Sequence, residues 1–147
     1  MSNYYNSLMN SGTYADIFSA LILSSVEAKM RDVVDFKLKK KWSSFFMKEM
    51  NMIPLVTKLN LTSADCLNKQ WKNQTVNELN CVDVPSFSAN LLIELHADES
   101  FNHFIKIRYN GYYVNLCGEK KEICDFEEFW RRASSGNIDY KKECYGK

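Results

Sequence analysis

The chain has 147 residues, of which 46% are apolar, 14% aromatic and 25% charged; this is one domain's length with enough apolar material for a packed core, and it excludes a disordered or low-complexity chain. Nineteen basic side chains against 18 acidic ones leave a net charge of +1, so whole-molecule electrostatics points to neither nucleic acid nor an acidic membrane surface. The longest apolar run, Ile17 to Val26, is broken by Ser19, Ser24 and Ser25 and falls well short of the roughly 18 to 20 residues of a membrane span.

No signal peptide is expected in this chain, because the residues before Ile17 contain no Lys or Arg and no small-residue cleavage site follows the apolar run. From Tyr14 to Phe36 the spacing predicts an amphipathic helix, with Phe18, Leu21, Ile22, Val26, Met30 and Val33 on its inner face and a capping box at Thr13 and Asp16. The lysine-rich stretch around Lys37 to Lys41 reads as a solvated helix end leading into a strand; no nucleic-acid patch is expected, for want of interleaved aromatic residues. Trp42 to Met47 is short and apolar, the pattern of a buried strand, and runs directly into a helix starting near Asn51 with Pro54 in its first turn. Ser63 to Trp71 offers one more short helix, and Lys72 to Val84 reads as loop.

The last third alternates. Leu91, Ile93 and Leu95 oppose Leu92, Glu94 and His96 within Asn90 to His96, and Ile105, Ile107 and Tyr109 oppose Phe104, Lys106 and Arg108 within Phe104 to Tyr109. Asn110-Gly111 suits a type I′ turn, and Tyr112 to Leu116 supplies the return strand of a three-strand antiparallel meander. Asp125 and Glu128 then form a capping box for a helix that buries Phe126, Phe129, Trp130 and Ala133. No linker, internal repeat or second domain interrupts residues 1–147.

Little chemistry can be read from composition and spacing. His96, His103, Cys117 and Cys124 make a nominal Cys2His2 set, but their gaps do not match zinc-ligand spacing, and the two histidines read as exposed strand-end imidazoles. No metal or other cofactor is expected. There is no P-loop, no glycine-rich dinucleotide motif and no oxyanion-forming turn beside a Cys-His pair. Cys66, Cys81, Cys117, Cys124 and Cys144, together with the glycosylation sequons at Asn60 and Asn73, lean towards a secretory or lysosomal setting. An odd cysteine count with no signal peptide fits a chain that lacks an N-terminal portion.

The run Pro85-Ser86-Phe87-Ser88-Ala89-Asn90 into the strand ending Glu94-Leu95, then Ile105 to Tyr109-Asn110-Gly111, Cys117 and Cys124, Phe126-Glu127-Glu128-Phe129 and Glu143-Cys144, resembles the C-terminal part of the histidine acid phosphatases. Ser88-Ala89 stands in inverted order, and there is one proline where the family usually has two. The resemblance implies an α/β class, the C-terminal portion of a phosphoglycerate-mutase-like αβα fold, and a family reaction of phosphate monoester hydrolysis through a phosphohistidine without metal. It also implies a secretory, lysosomal or extracellular location. The family's Arg-His-Gly-x-Arg-x-Pro loop, which carries the nucleophile, is not found among residues 1–147. The family's His-Asp dipeptide at a strand-to-helix junction aligns with Lys48-Glu49, which makes Glu49 the candidate proton donor and Lys48 the candidate phosphate contact.

Disulfides are expected at Cys66 with Cys81 and at Cys117 with Cys124, and the resemblance implies that Cys144 pairs with a cysteine of an N-terminal half and so is free in this chain. The resulting expectation is a truncated or degenerate phosphatase-like chain, inactive alone. The alternatives are a binding or assembly subunit that reuses the half-fold, and an activity completed by a separate protein that supplies the N-terminal half.

Overall fold

The computed structural model describes residues 12–39, 41–76, 80–118 and 121–134, giving a mixed α/β architecture in which helices cover one face of a small antiparallel sheet. In chain order the elements are α1 (Gly12–Val34), α2 (Glu49–Lys58), α3 (Ala64–Trp71), β1 (Leu91–Ala97), β2 (His103–Tyr109), β3 (Tyr112–Tyr113), β4 (Cys124–Asp125) and α4 (Phe126–Ala133).

The first helix forms within two residues of the expected bounds, and its expected inner face is only partly the buried one. Ala15, Ser19 and Leu23 are buried and Ile22, Val26, Met30 and Val34 pack on the core, whereas Phe18 and Leu21 are exposed. Ile17 to Leu23 is apolar nearly all round, so periodicity leaves the choice of face to tertiary packing. Thr13 lies inside the helix, so the expected cap is displaced, and Asp16 instead meets Lys58 at the end of α2 at 2.5 Å. That ion pair joins the start of one helix to the end of the other.

Between them, the expected strand at Trp42 to Met47 is not formed. Residues 41–48 lie in no regular element, and Trp42, Phe45 and Phe46 are exposed. An apolar hexapeptide becomes a strand only beside a partner edge, and among the described residues no strand pairs with it. The following helix starts at Glu49, two residues before the expected position, so Pro54 stands in its second turn rather than its first. There its ring is buried, and its missing N–H leaves the Met50 carbonyl without the usual helical donor.

Helix ends follow local chemistry closely. Ser63 caps α3, its hydroxyl accepting from the Cys66 N–H at 3.0 Å. Asp125 caps α4, accepting from the Glu128 N–H at 3.0 Å. The Glu128 carboxylate does not return the bond as a full capping box would; it binds Arg131 and Arg132 instead. After α2, Asn60 takes a φ of 55° while its N–H bonds the Thr57 carbonyl and the Leu61 N–H bonds Val56, a Schellman close that repeats after α3 with Asn73 at 53°. The first helix ends the same way with Phe36 at 57°, a left-handed position that is costly for a bulky side chain.

The meander forms as expected. Ile93 stands opposite Ile107 and Leu95 opposite Ile105, and Asn110 (φ 49°) with Gly111 (φ 89°) makes the two-residue turn. Its third strand is shorter than expected, only Tyr112–Tyr113, because the chain leaves the sheet after the Val114 N–H bonds the Ile107 carbonyl. The same side of β2 is then taken by β4, an unexpected strand that pairs Cys124 with Ile105. Leu91, Ile93, Leu95, Ile105, Ile107 and Tyr109 face the helices and join Leu23, Val56, Leu61, Phe126, Phe129 and Trp130 in the main core. A smaller cluster, Ile53, Ala64, Cys66 and Leu67, lies under α3.

Both expected disulfides form: Cys66 with Cys81, Cα atoms 5.7 Å apart, and Cys117 with Cys124, 5.2 Å apart. Cys144 lies outside the described residues. No helix among the described residues is long and apolar enough to cross a membrane.

Candidate functional site

Lys48 and Glu49 stand at the N-terminus of α2. Lys48 is the N-cap residue, in extended conformation (φ −80°, ψ 158°) with no side-chain cap bond, and Glu49 is the first helical residue. Both side chains are exposed. A carboxylate in a first helical turn is favoured by the exposed N–H groups there, which accounts for Glu49 without any catalytic role. The residues ahead of it are not a strand, so the junction is loop-to-helix and not the strand-to-helix edge that the alignment implies.

The histidines are not brought to Glu49 as a catalytic pair but lie on the sheet. The His96 ring stacks on Phe104, centroids 5.3 Å apart, and its Nε2 lies 2.9 Å from Glu94. Cys117 and Cys124 are bonded to each other, which removes the thiolates a Cys2His2 zinc site would use. Among the described residues no group of three or more His, Cys, Asp or Glu is placed to hold a metal.

The sequons fall at the two Schellman closes, so their asparagines serve the backbone by tolerating positive φ. They differ in access. Asn73 is exposed together with Thr75, whereas Thr62 of the Asn60 sequon is buried, its hydroxyl 3.4 Å from the Cys66 sulfur. An oligosaccharide could be added to the folded chain more readily at Asn73.

The most connected polar group was not singled out from sequence. On the sheet face away from the helices, Glu94 accepts from Arg108 Nε at 2.7 Å and also from its terminal nitrogen, pairs with His96, and lies 3.4 Å from the Tyr113 hydroxyl. Arg108 and Lys106 lie over the Tyr113 ring at 5.3 and 4.6 Å. Partial burial pushes the Glu94 carboxyl upward, but the hydrogen bonds from His96 and Arg108 outweigh it and hold the group below its ordinary range. The alternation of β1 and β2 places these residues on one face, and the antiparallel register of the two strands, which residues 98–102 connect, sets Glu94 opposite Lys106 and diagonal to Arg108. The alternation was legible in the sequence, whereas the register that brings Glu94 to Arg108 was set by the pairing of the strands.

A second ionic contact joins α1 to α4. The Arg31 guanidinium donates to both Glu127 oxygens at 2.8 and 3.1 Å and to Glu27 at 2.9 Å. The Arg31 bonds hold the Glu127 carboxyl below its usual range. With Asp125, Glu128 and Arg131 these side chains line a shallow open groove of four carboxylates and two guanidiniums. The two disulfides are compatible with an oxidising, secreted setting. In comparisons with known proteins, no family model, no curated protein and no solved structure matches the chain.

Proposed function

We propose that this chain is a non-catalytic relative of the histidine acid phosphatases, corresponding to the C-terminal part of their phosphoglycerate-mutase-like αβα fold, and that it does not hydrolyse phosphate monoesters by itself. The observation that carries the reading is the order of features from β1 to α4: a hairpin turning at Asn110-Gly111, the Cys117–Cys124 disulfide and an Asp125-capped helix follow one another as in the family's C-terminal run. The resemblance aligns Lys48-Glu49 with that family's His-Asp dipeptide, but the strand that should precede the dipeptide is not formed here. A phosphoryl transfer needs a nucleophile together with cations on the transferred group, and the loop that supplies both in the family is not in these 147 residues. Secretory, lysosomal or extracellular residence and glycans on Asn73 and Asn60 belong to the same reading.

The test is hydrolysis of p-nitrophenyl phosphate at acid pH by the oxidised chain. Turnover at background is expected. Turnover on the order of 1 per second, abolished by Glu49→Gln, would overturn the proposal and restore Glu49 as proton donor.

A second reading, a binding or assembly subunit, is favoured by the apolar side chains that α1 and α2 leave uncovered between them, Phe36, Trp42 and Phe46 above all. Its partner could be a protein that supplies the N-terminal half of the fold.

A further inference from the structure

Between Phe36 and Lys48 the sequence carries Lys37, Lys39, Lys40, Lys41 and Lys48 and no carboxylate. The same stretch exposes its aromatic side chains: Phe36 is 81% exposed, Trp42 69% and Phe46 99%. The segment is tethered at intervals. Met47 packs on the core, the Lys29 ammonium of α1 lies 3.4 Å from the Ser43 hydroxyl and 4.5 Å from the centre of the Phe45 ring, and the Trp42 indole N–H donates to the Ser44 hydroxyl at 2.6 Å. Exposed aromatic side chains are thus carried on the surface in a lysine-rich segment, of which Lys37 pairs with Asp35 at 2.8 Å, and the whole-chain balance of +1 conceals this local positive charge.

We propose that residues 36–48 form a peripheral docking loop for a bilayer surface containing anionic lipid, with Trp42 and Phe46 entering the headgroup boundary and the lysines contacting lipid phosphates and carboxylates. The order of the residues selects this occupant. A basic block, residues 37–41, precedes an aromatic block, residues 42–46, which Lys48 closes; a membrane interface likewise sets a charged layer against an apolar one. Single-stranded nucleic acid calls instead for aromatic planes interleaved with cations along a groove. Six apolar-rich residues from Trp42 to Met47 can enter an interface but cannot span it. The inference rests on the binding reading above and is independent of the phosphatase relationship.

The test is flotation of the oxidised full chain with vesicles of phosphatidylserine and phosphatidylcholine in equal parts, and with phosphatidylcholine alone. Retention is expected on the anionic vesicles only, weakening as salt is raised. Replacing Lys39, Lys40 and Lys41 together by Gln should lower partitioning about fivefold per charge removed. Trp42→Ser with Phe46→Ser should abolish retention while the circular dichroism and thermal midpoint stay unchanged, since both side chains are exposed. Equal retention on the two vesicle types, or unchanged binding by both variants, would overturn the proposal. So would absence of vesicle binding alongside Trp42- and Phe46-dependent capture of single-stranded RNA or of a purified protein, an outcome that would leave the broader binding reading standing. Phosphatase turnover, measured separately, bears on neither outcome.

Discussion

Glu94 shows how a side chain that is unremarkable in sequence becomes the centre of an ionic network once strands are paired. Its folded pKa lies below its unfolded one, so the native state holds that proton less tightly. The resulting stability is fully present above about pH 5 and is lost as the pH falls through the lowered folded value. Glu94→Gln is therefore expected to lower the unfolding free energy near pH 7 by about 1 kcal/mol, a modest figure because screening weakens a pair whose arginine is 37% exposed. The difference from the parent should shrink as urea titrations move from about pH 5 towards pH 3. Urea midpoints that fall in parallel for the two proteins over this range would show that the pairing carries no pH-dependent stability. Phe36 makes a different residue-scale point: the lysines after it mark the end of α1, but nothing in a bulky aromatic residue announces the left-handed φ of 57° that it takes there.

At the scale of elements, the two disulfides act on loops of different length. Cys66–Cys81 spans 15 residues and ties α3 to the strand approach, whereas Cys117–Cys124 spans 7 and fixes the crossing from β3 to β4. In the chain-entropy model the first is worth about 3 kcal/mol and the second about 2. Replacing Cys66 and Cys81 together by Ala should therefore cost more than replacing Cys117 and Cys124, as read from guanidinium midpoints under oxidising conditions. The reverse order would mean that the short loop is held mainly by native packing around buried Cys124. These bridges, the Asp125 cap and the Asn110-Gly111 turn were legible in the sequence because each depends on interactions within a few residues or within one closed loop. The strand at Trp42 to Met47 was misread because its pattern specifies a strand only if a neighbouring edge exists, and no hexapeptide encodes its neighbour.

For the whole molecule, the described residues form a sheet covered by helices on one face, with the apolar loop 41–48 outside the main core apart from Met47. This arrangement can be tested by comparing two truncations. Phe46→Ala should change the unfolding free energy by no more than about 0.5 kcal/mol, as expected for an exposed site. Ile107→Ala, at a fully buried position on β2, should cost about 2 to 5 kcal/mol. A loss of similar size for Phe46→Ala would mean that this segment is buried in the isolated chain, and the placement of residues 41–48 would then be wrong.

By itself, the sequence determined one domain's worth of core, the four helices to within a few residues, the alternation of the strands with the Asn110-Gly111 turn, and the pairing expected of four cysteines. These follow from residue periodicity, turn chemistry and the short loops that the cysteine pairs close. Only the tertiary structure decided which face of α1 is buried, that β4 joins β2, that Glu94 gathers Arg108, His96 and Tyr113, and that Trp42 to Met47 stays outside the sheet. The physical reason is common to all four. Each depends on contacts between segments far apart in the chain, where apolar residues are numerous enough to satisfy several packings and the free-energy balance of the whole selects one.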